Sequence, residues 1–182
     1  MAPLRGAMTK DPKPPNPKRG VLPALDMPEE QQRAWLAYMR IYLRLTYEMN
    51  RELQANSDVS LADYHVLTAL LRSPGRTLRI QPLAAEIGWE RSRVSHQVRR
   101  MAARGLVRCE VAAEDRRATE VILTSEGLCA IREATPGHAE LVRRLFFGGL
   151  PDDHLGALTE ALEAIYGNIL EQGSLPPPDS CA

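Results

Sequence analysis

The sequence lacks the features that mark secreted, membrane-spanning or metal-stabilised proteins. Its three cysteines, Cys109, Cys129 and Cys181, are an odd number without metal-type spacing, which predicts neither a disulfide framework nor a zinc site. No run approaches about 18 consecutive apolar residues, and the N-terminal segment has no apolar core of the kind found in secretory signals. These absences predict a soluble chain in a reducing compartment, with no membrane or metal among its partners.

Signatures of catalysis are missing as well. The sequence contains no nucleophile elbow, no P-loop, no glycine-rich dinucleotide fingerprint after a strand and no zinc-protease motif. The adjacent carboxylates of Asp152 and Asp153 open a predicted helix, where the helix dipole accounts for them. We therefore expect neither an enzyme nor a bound cofactor.

The formal net charge is zero, yet the charges are unevenly distributed along the chain. Residues 72–117 carry 11 basic and 5 acidic side chains, whereas residues 118–182 carry 3 basic and 10 acidic ones. A basic stretch next to an acidic one is an electrostatic footprint that the total charge conceals. Its position favours a surface that binds a polyanion such as nucleic acid.

Both ends of the chain are predicted to be tails. Residues 1–25 hold six prolines and all three lysines of the protein, with few large apolar residues. Such a segment cannot bury enough apolar surface to offset its ordering entropy, so it is predicted to be disordered. The proline-rich residues 173–182 are predicted to be a flexible tail.

Between the tails, apolar periodicity predicts a mainly α chain with one small β-hairpin. The predicted helices span about 28–55, 60–72, 80–87, 90–104, 124–147 and 151–171. A change to a period of two predicts strands over 106–111 and 119–123, joined by a polar turn. Pro136 and Gly137 predict a bend in the helix that contains them.

Two of these helices form a helix-turn-helix, and the hairpin that follows makes the unit winged. Gly88 and Trp89 join helix 80–87 to helix 90–104. On a helical wheel, Val94, Val98 and Met101 define the buried stripe of the second helix. The candidate DNA-binding residues of this helix are Arg91, Ser92, Arg93, Ser95, His96, Arg99 and Arg100.

These side chains suit a helix that enters the major groove. Arginine can donate two hydrogen bonds to guanine, and serine can bond a base or a phosphate. Residues near the helix N-terminus reach base edges in this motif, which favours Ser92, Arg93 and His96 for readout. Arg99 and Arg100 lie further along and are predicted to contact phosphates. The alternative is a basic face that is merely solvated.

The hairpin tip adds Asp115, Arg116 and Arg117 to the candidate DNA-binding residues. An arginine at this place can enter a narrow, negative minor groove beside the recognition helix. Asp115 could accept a hydrogen bond from Arg117 and hold its guanidinium in position. The alternative is a surface ion pair of little energetic consequence.

The ordered motifs from Leu83 to Gly127 resemble the winged helix-turn-helix of the MarR family of bacterial transcription regulators. The matching motifs are LA-x-x-I-G, S-x-V-S, R-M-x-x-R-G-L-V, D-x-R and L-T-x-x-G, and the similarity extends over about 28–172. Two positions, Glu90 and Cys109, carry residue types that are unusual there.

The resemblance implies an organisation and a function. A MarR-type domain over 26–172 would read DNA through a winged helix-turn-helix at 60–123 and dimerise through helices 28–55 and 124–171. It implies a homodimer bound to a pseudo-palindromic operator near its own gene, acting as a repressor in the bacterial cytoplasm at the nucleoid. Asp115 and Arg117 match the pair that the family uses in the minor groove.

The resemblance also suggests an effector, since many members release DNA when a small aromatic acid or phenol binds. The candidate ligand-binding residues are Trp35, Tyr38, Met39, Tyr42, Tyr64 and His65. Simple packing is the alternative, because aromatic residues at helical spacing usually belong to a core. His65 could switch with pH, although a structural histidine is the more common case.

Two further functions remain open at this stage. A winged helix can serve protein contacts without binding DNA, but an acidic or apolar outer face would then be expected on the recognition helix. A thiol-based redox regulator is the other alternative, with Cys109 beside Arg108 as its candidate thiol.

Overall fold

The computed structural model describes residues 27–112 and 117–178. The predicted tail over 1–25, the end of the tail over 173–182 and the hairpin residues Asp115 and Arg116 lie outside the described residues. The chain divides into two units after Arg40. No helix of the described part is long and apolar enough to cross a membrane.

Helices dominate the described residues, as predicted, and three short strands accompany them. The elements in chain order are α1 Glu29–Asn56, α2 Leu61–Arg72, β1 Thr77–Arg79, α3 Ile80–Ile87, α4 Arg91–Ala103, β2 Val107–Val111, β3 Thr119–Leu123, α5 Ser125–Val142 and α6 Leu155–Gln172. The first unit contains the start of α1, and the second contains the rest of α1 and all later elements.

The sheet has one strand more than the sequence predicted. β1 pairs antiparallel with β3, Leu78 lying opposite Val121, and β3 pairs antiparallel with β2, so that the order is β1-β3-β2. Three residues are too few to show an alternating pattern, and β1 owes its extended form to the pairing with β3. The extra strand attaches the base of the wing to the chain that enters α3.

The helix α5 does not end at Pro136 and Gly137, and the bend predicted there stays a prediction. The α-helix runs through both residues to Val142, and the departure from α geometry comes at Arg143–Phe147, which is π-helical. Pro136 removes one backbone donor, which need not end a helix that tertiary packing supports. Ile131, Ala134 and Leu141 provide that support, because each is buried.

The apolar core lies in the second unit, among α2, α3, α4, the sheet and α5. Leu67, Leu70 and Leu83 are completely buried there. The stripe predicted for α4 is confirmed, since Val94, Val98 and Met101 are at most 2% exposed. Burying this stripe fixes which face of α4 remains outside.

One polar cluster ties α2 to α4 inside this core. The Asp63 carboxylate, 1% exposed, accepts hydrogen bonds from the Gln97 Nε2 at 2.6 Å and from an Arg104 guanidinium nitrogen at 2.8 Å. It also accepts from the backbone N and the Oγ of Ser60, which completes the capping box of α2. A buried charge is tolerated when donors surround it in this way.

The contribution of this cluster to the stability of the fold can be measured through the titration of Asp63. Burial raises the pKa of Asp63, but the hydrogen bonds from Ser60 and Arg104 outweigh burial and leave the pKa below its usual value. The ionised carboxylate therefore stabilises the fold above pH ~4, and this contribution is lost as the pH falls through the lowered pKa.

We predict that Asp63→Asn lowers the free energy of unfolding at pH 7 by about 2–4 kcal/mol, because Gln97 and Arg104 lose a charged acceptor. Urea denaturation at pH 7 and at about pH 3 would measure this loss and its decrease in acid. The matched control is Asp58→Asn at an exposed site, where Arg104 binds only the backbone carbonyl. Equal effects of the two substitutions would contradict a special role for the Asp63 carboxylate.

Candidate nucleic-acid interface

The turn between α3 and α4 is set by a glycine in the left-handed conformation. Gly88 has φ 67° and ψ 34°, where residues with a Cβ are strained. The backbone N of Trp89 then donates to the Ala84 carbonyl at 2.9 Å, which closes the end of α3. This turn directs the chain into α4 and completes the predicted helix-turn-helix.

The structure brings six of the seven sequence-predicted residues of α4 together on its outer face. Gln97 and the apolar stripe face inward, and the helix contains no acidic residue. Ser95 is half-buried, with its Oγ donating to the Arg91 carbonyl at 2.9 Å. The exposed predicted residues are Arg91, Ser92, Arg93, His96, Arg99 and Arg100.

The N-terminus of α4 has no side-chain cap. Glu90 occupies the N-cap position, and its side chain makes no capping hydrogen bond. The first backbone N–H groups of a helix have no partner inside the helix, and its dipole makes this end positive. The opening of α4 therefore combines basic side chains with backbone donors for an anion.

One candidate DNA-binding residue of the wing, Arg117, lies among the described residues. The backbone N of Ala112 donates to the Ala118 carbonyl at 3.0 Å, which joins the two strands near the tip. Arg117, between them, is exposed. Its pairing with Asp115 stays a prediction, because Asp115 lies outside the described residues.

Aromatic contacts around Trp89 were not predicted from the sequence. The Arg93 guanidinium carbon lies over the Trp89 ring, 3.9 Å from its centroid. The His65 ring meets the same indole edge-on, with 6.1 Å between centroids. Spacing along the chain gives little sign of such contacts, because they depend on the geometry of the turn.

The candidate ligand-binding residues fall in both units and are described separately. In the first unit, Trp35 and Tyr38 pack with their ring centroids 5.5 Å apart, and Met39 lies beside them in the sequence. In the second unit, Tyr42 is exposed on α1. Tyr64 and His65 contact different neighbours, Tyr64 lying against His138 of α5 and His65 against Trp89.

A polar cluster around Tyr64 was not predicted. The Tyr64 and His138 ring centroids are 4.4 Å apart, and the Tyr64 Oη lies 3.4 Å from the Thr135 Oγ1. The Glu52 Oε2 and the His138 Nδ1 are buried and have no hydrogen-bond partner among the described residues. Burial lowers the pKa of His138 more than Glu52 raises it, so that the imidazole favours its neutral form.

The described cysteines lack the surroundings of a reactive thiol. Partial burial raises the pKa of Cys109, and the neighbouring Arg108 is paired with Glu110 at 2.7 Å. A hydrogen bond to Glu133 raises the pKa of Cys129. Reactive cysteines need a lowered pKa in an electropositive site. Cys181 lies outside the described residues.

Comparison with known proteins places this geometry in a family. A family model described as MarR family matches residues 57–118. One similar structure is that of Sco3205, a MarR family transcriptional regulator from Streptomyces coelicolor, in complex with DNA. Its sequence is 32% identical to this one, and the two structures match with a TM-score of 0.76 over 83% of this chain and 95% of that one. The chain belongs to the MarR family.

Two further structures are similar to the MarR-family chain, one a regulator of the same family and one that shows the fold alone. AbsC, a MarR family transcriptional regulator from Streptomyces coelicolor, is 33% identical, with a TM-score of 0.73 over 80% of this chain and 98% of that one. The transcriptional regulator BldR from Sulfolobus solfataricus is 24% identical and shares the fold, with a TM-score of 0.69 over 79% of this chain and 100% of that one. The mainly α winged helix-turn-helix predicted from the sequence is confirmed.

We predict that Cys109 reacts slowly with a disulfide reagent such as DTNB at pH 7, because its raised pKa leaves little thiolate. Cys109→Ser should leave any response of the protein to hydroperoxide unchanged. Cys129→Ser, which removes the other described cysteine, is the matched control for both measurements, because a hydrogen bond to Glu133 raises the pKa of Cys129. Rapid modification of Cys109, or a peroxide response lost in Cys109→Ser, would contradict this prediction.

Proposed function

We propose that this MarR-family chain is a sequence-specific DNA-binding transcription regulator that acts as a homodimer, most simply as a repressor. The observation that carries the proposal is the outer face of α4, which presents arginine, serine and histidine side chains and no carboxylate. It lies on the second helix of a helix-turn-helix, the element that enters the major groove in this motif.

Within this proposal the residues of α4 divide by their position along the helix. Ser92, Arg93 and His96 lie near the N-terminus and read base edges, whereas Arg99 and Arg100 bind phosphates. The uncapped N-terminus of α4 donates backbone N–H groups to a further phosphate. Arg117 of the wing enters the adjacent minor groove. The DNA-reading part thus spans about 60–123 of a domain over 26–172.

Exposed apolar residues on α1 and α6 support a dimer. α6 has no buried residue, and large apolar side chains on it are at least 44% exposed: Leu155, Leu162, Ile165, Tyr166 and Ile169. The middle of α1 is similar, with Ile41, Tyr42, Leu43 and Tyr47 exposed. Contiguous apolar surface of this kind marks an interface. A two-fold dimer would read half-sites about one helical turn apart.

A gel shift tests the function directly. Purified protein is expected to retain a shift on DNA from upstream of its own gene, or on a site selected from a random pool, against excess unrelated DNA at physiological salt. Footprinting should then show paired half-sites. Binding no tighter than to unrelated DNA would favour the alternative, a winged-helix module for protein contacts.

The same assay tests the wing. Arg117→Ala is expected to weaken specific binding by about 1–3 kcal/mol, because a guanidinium is lost from the minor groove. Arg132→Ala removes an exposed arginine from α5 and is the matched control. Equal affinities of wild type and Arg117→Ala would refute this placement of the wing.

The polar cluster around Tyr64 supports an effector site. Glu52 Oε2 and His138 Nδ1 are buried without a partner among the described residues, and a bound hydroxyl could supply one. The Glu52 carboxylate would repel an anion, so a neutral phenol suits this cluster better than an aromatic acid. Tyr64 would provide the apolar wall, in keeping with its place among the candidate ligand-binding residues.

We predict that neutral phenols raise the melting temperature more than the matched salicylate-type acids do, because only the acids bring a second negative charge to Glu52. Thermal shifts over a panel of such pairs would measure the difference. Glu52→Gln should narrow it by removing the repulsion. Stabilisation by the acids alone, or by no compound of the panel, would contradict the assignment.

A further inference from the structure

Trp89 stands at the junction on which the geometry of the recognition helix depends. It follows Gly88 directly and precedes the N-cap residue Glu90, and its backbone is held by the hydrogen bond to Ala84. The indole is partly buried and packs against the apolar core. The ring is therefore fixed to the scaffold rather than free on the surface.

The Trp89 ring presents a face to the first turn of α4. The Arg93 guanidinium carbon lies 3.9 Å from the ring centroid, within the distance of a cation–π contact, and tryptophan is the strongest partner for such a contact. Stacking covers a face of the guanidinium and leaves its N–H groups at the edge. These edge groups are the ones that donate to guanine O6 and N7.

A second ring supports this arrangement. The His65 imidazole meets Trp89 edge-on, at 69° between the ring planes. Loss of hydration, together with the charges of His138 and Arg93, lowers the pKa of His65, so the imidazole favours its neutral form. A neutral ring at this place adds no second cation to compete with Arg93 for the indole.

We propose that Trp89 is a positioning residue that holds the Arg93 guanidinium ready for base readout and so sets specificity at one base pair of the operator. This inference rests on the proposed DNA-binding function. A free arginine side chain loses much rotamer freedom on binding, and a guanidinium already held by a ring loses less. Trp89 would thus raise affinity for the correct base without touching DNA itself.

A double-mutant cycle in the full-length protein separates positioning from mere packing. On a site selected by the wild type, Trp89→Leu is expected to weaken specific binding about three- to thirtyfold and to relax the preference at the base pair that Arg93→Ala also relaxes. In the Arg93→Ala background, Trp89→Leu should have no further effect. Arg91→Ala removes an exposed arginine of the same turn. When it is combined with Trp89→Leu, the fold-losses of DNA affinity from the two substitutions should multiply.

Several outcomes would overturn the proposal. One is an equal loss of DNA affinity from Trp89→Leu whether or not Arg93 is present. The others are no loss of affinity, or tighter DNA binding, in Trp89→Leu. A change in the salt dependence that matches a lost phosphate contact would also count against base readout. Thermal melts establish that each variant is folded. Trp89→Phe, which keeps an aromatic face, should lose less affinity for the specific site than Trp89→Leu. If Trp89→Leu does not fold, Trp89→Phe takes its place in the cycle.

A measurement without DNA distinguishes failure of this inference from failure of the proposed function. In the free protein, the ring current of Trp89 should shift the NMR signals of the Arg93 side-chain protons upfield, and Trp89→Phe should reduce the shift. An unshifted Arg93 refutes the stack whatever the protein binds. A shifted Arg93 in a chain without any specific DNA site refutes the DNA-binding function, and with it the role proposed for Trp89.

Discussion

The ionised carboxylate of Asp63 is the interaction on which the arrangement of the helices depends. It lies in the first turn of α2 and binds Gln97 of α4 and Arg104, the C-cap residue of α4, which are separated by about two helical turns. Two attachment points on one helix restrict both its rotation and its position along its own axis. Apolar packing alone allows more sliding, because it has no direction.

The contacts of Asp63 also determine which side chains form the outer face of α4. Gln97 and Arg104 can meet Asp63 only when Val94, Val98 and Met101 point into the core, which leaves Arg93 and its neighbours outside. The recognition face is thus set from inside the domain by a charge. Burying that charge is costly, and a core residue of equal volume could be more stabilising. The gain is a single orientation for a helix that must match the groove of DNA.

The helices were predictable from the sequence because their signals are local. The period of apolar residues, the Ser60 cap and the glycine after α3 each act within a few residues. The contacts that were missed join distant positions: Gln97 to Asp63, β1 to β3 and His138 to Tyr64. On a helical wheel Gln97 lies beside the buried stripe, but its polar side chain suggests exposure unless its partner 34 positions earlier is known. The site itself was recognised from the motif order, and the contact between Trp89 and Arg93 required the geometry of the turn.

The uneven charge distribution and the exposed apolar helices answer two different requirements of DNA reading. The basic stretch supplies attraction to phosphates, but that attraction is independent of sequence. Under the proposed function, sequence would be read by a few side chains such as Arg93, and each half-site would add only a few such contacts. Pairing two chains through the exposed residues of α1 and α6 would place two such faces on one duplex and combine their discrimination. A chain with zero net charge can then bind specifically, because local placement of its arginines and their duplication by symmetry matter more than the total.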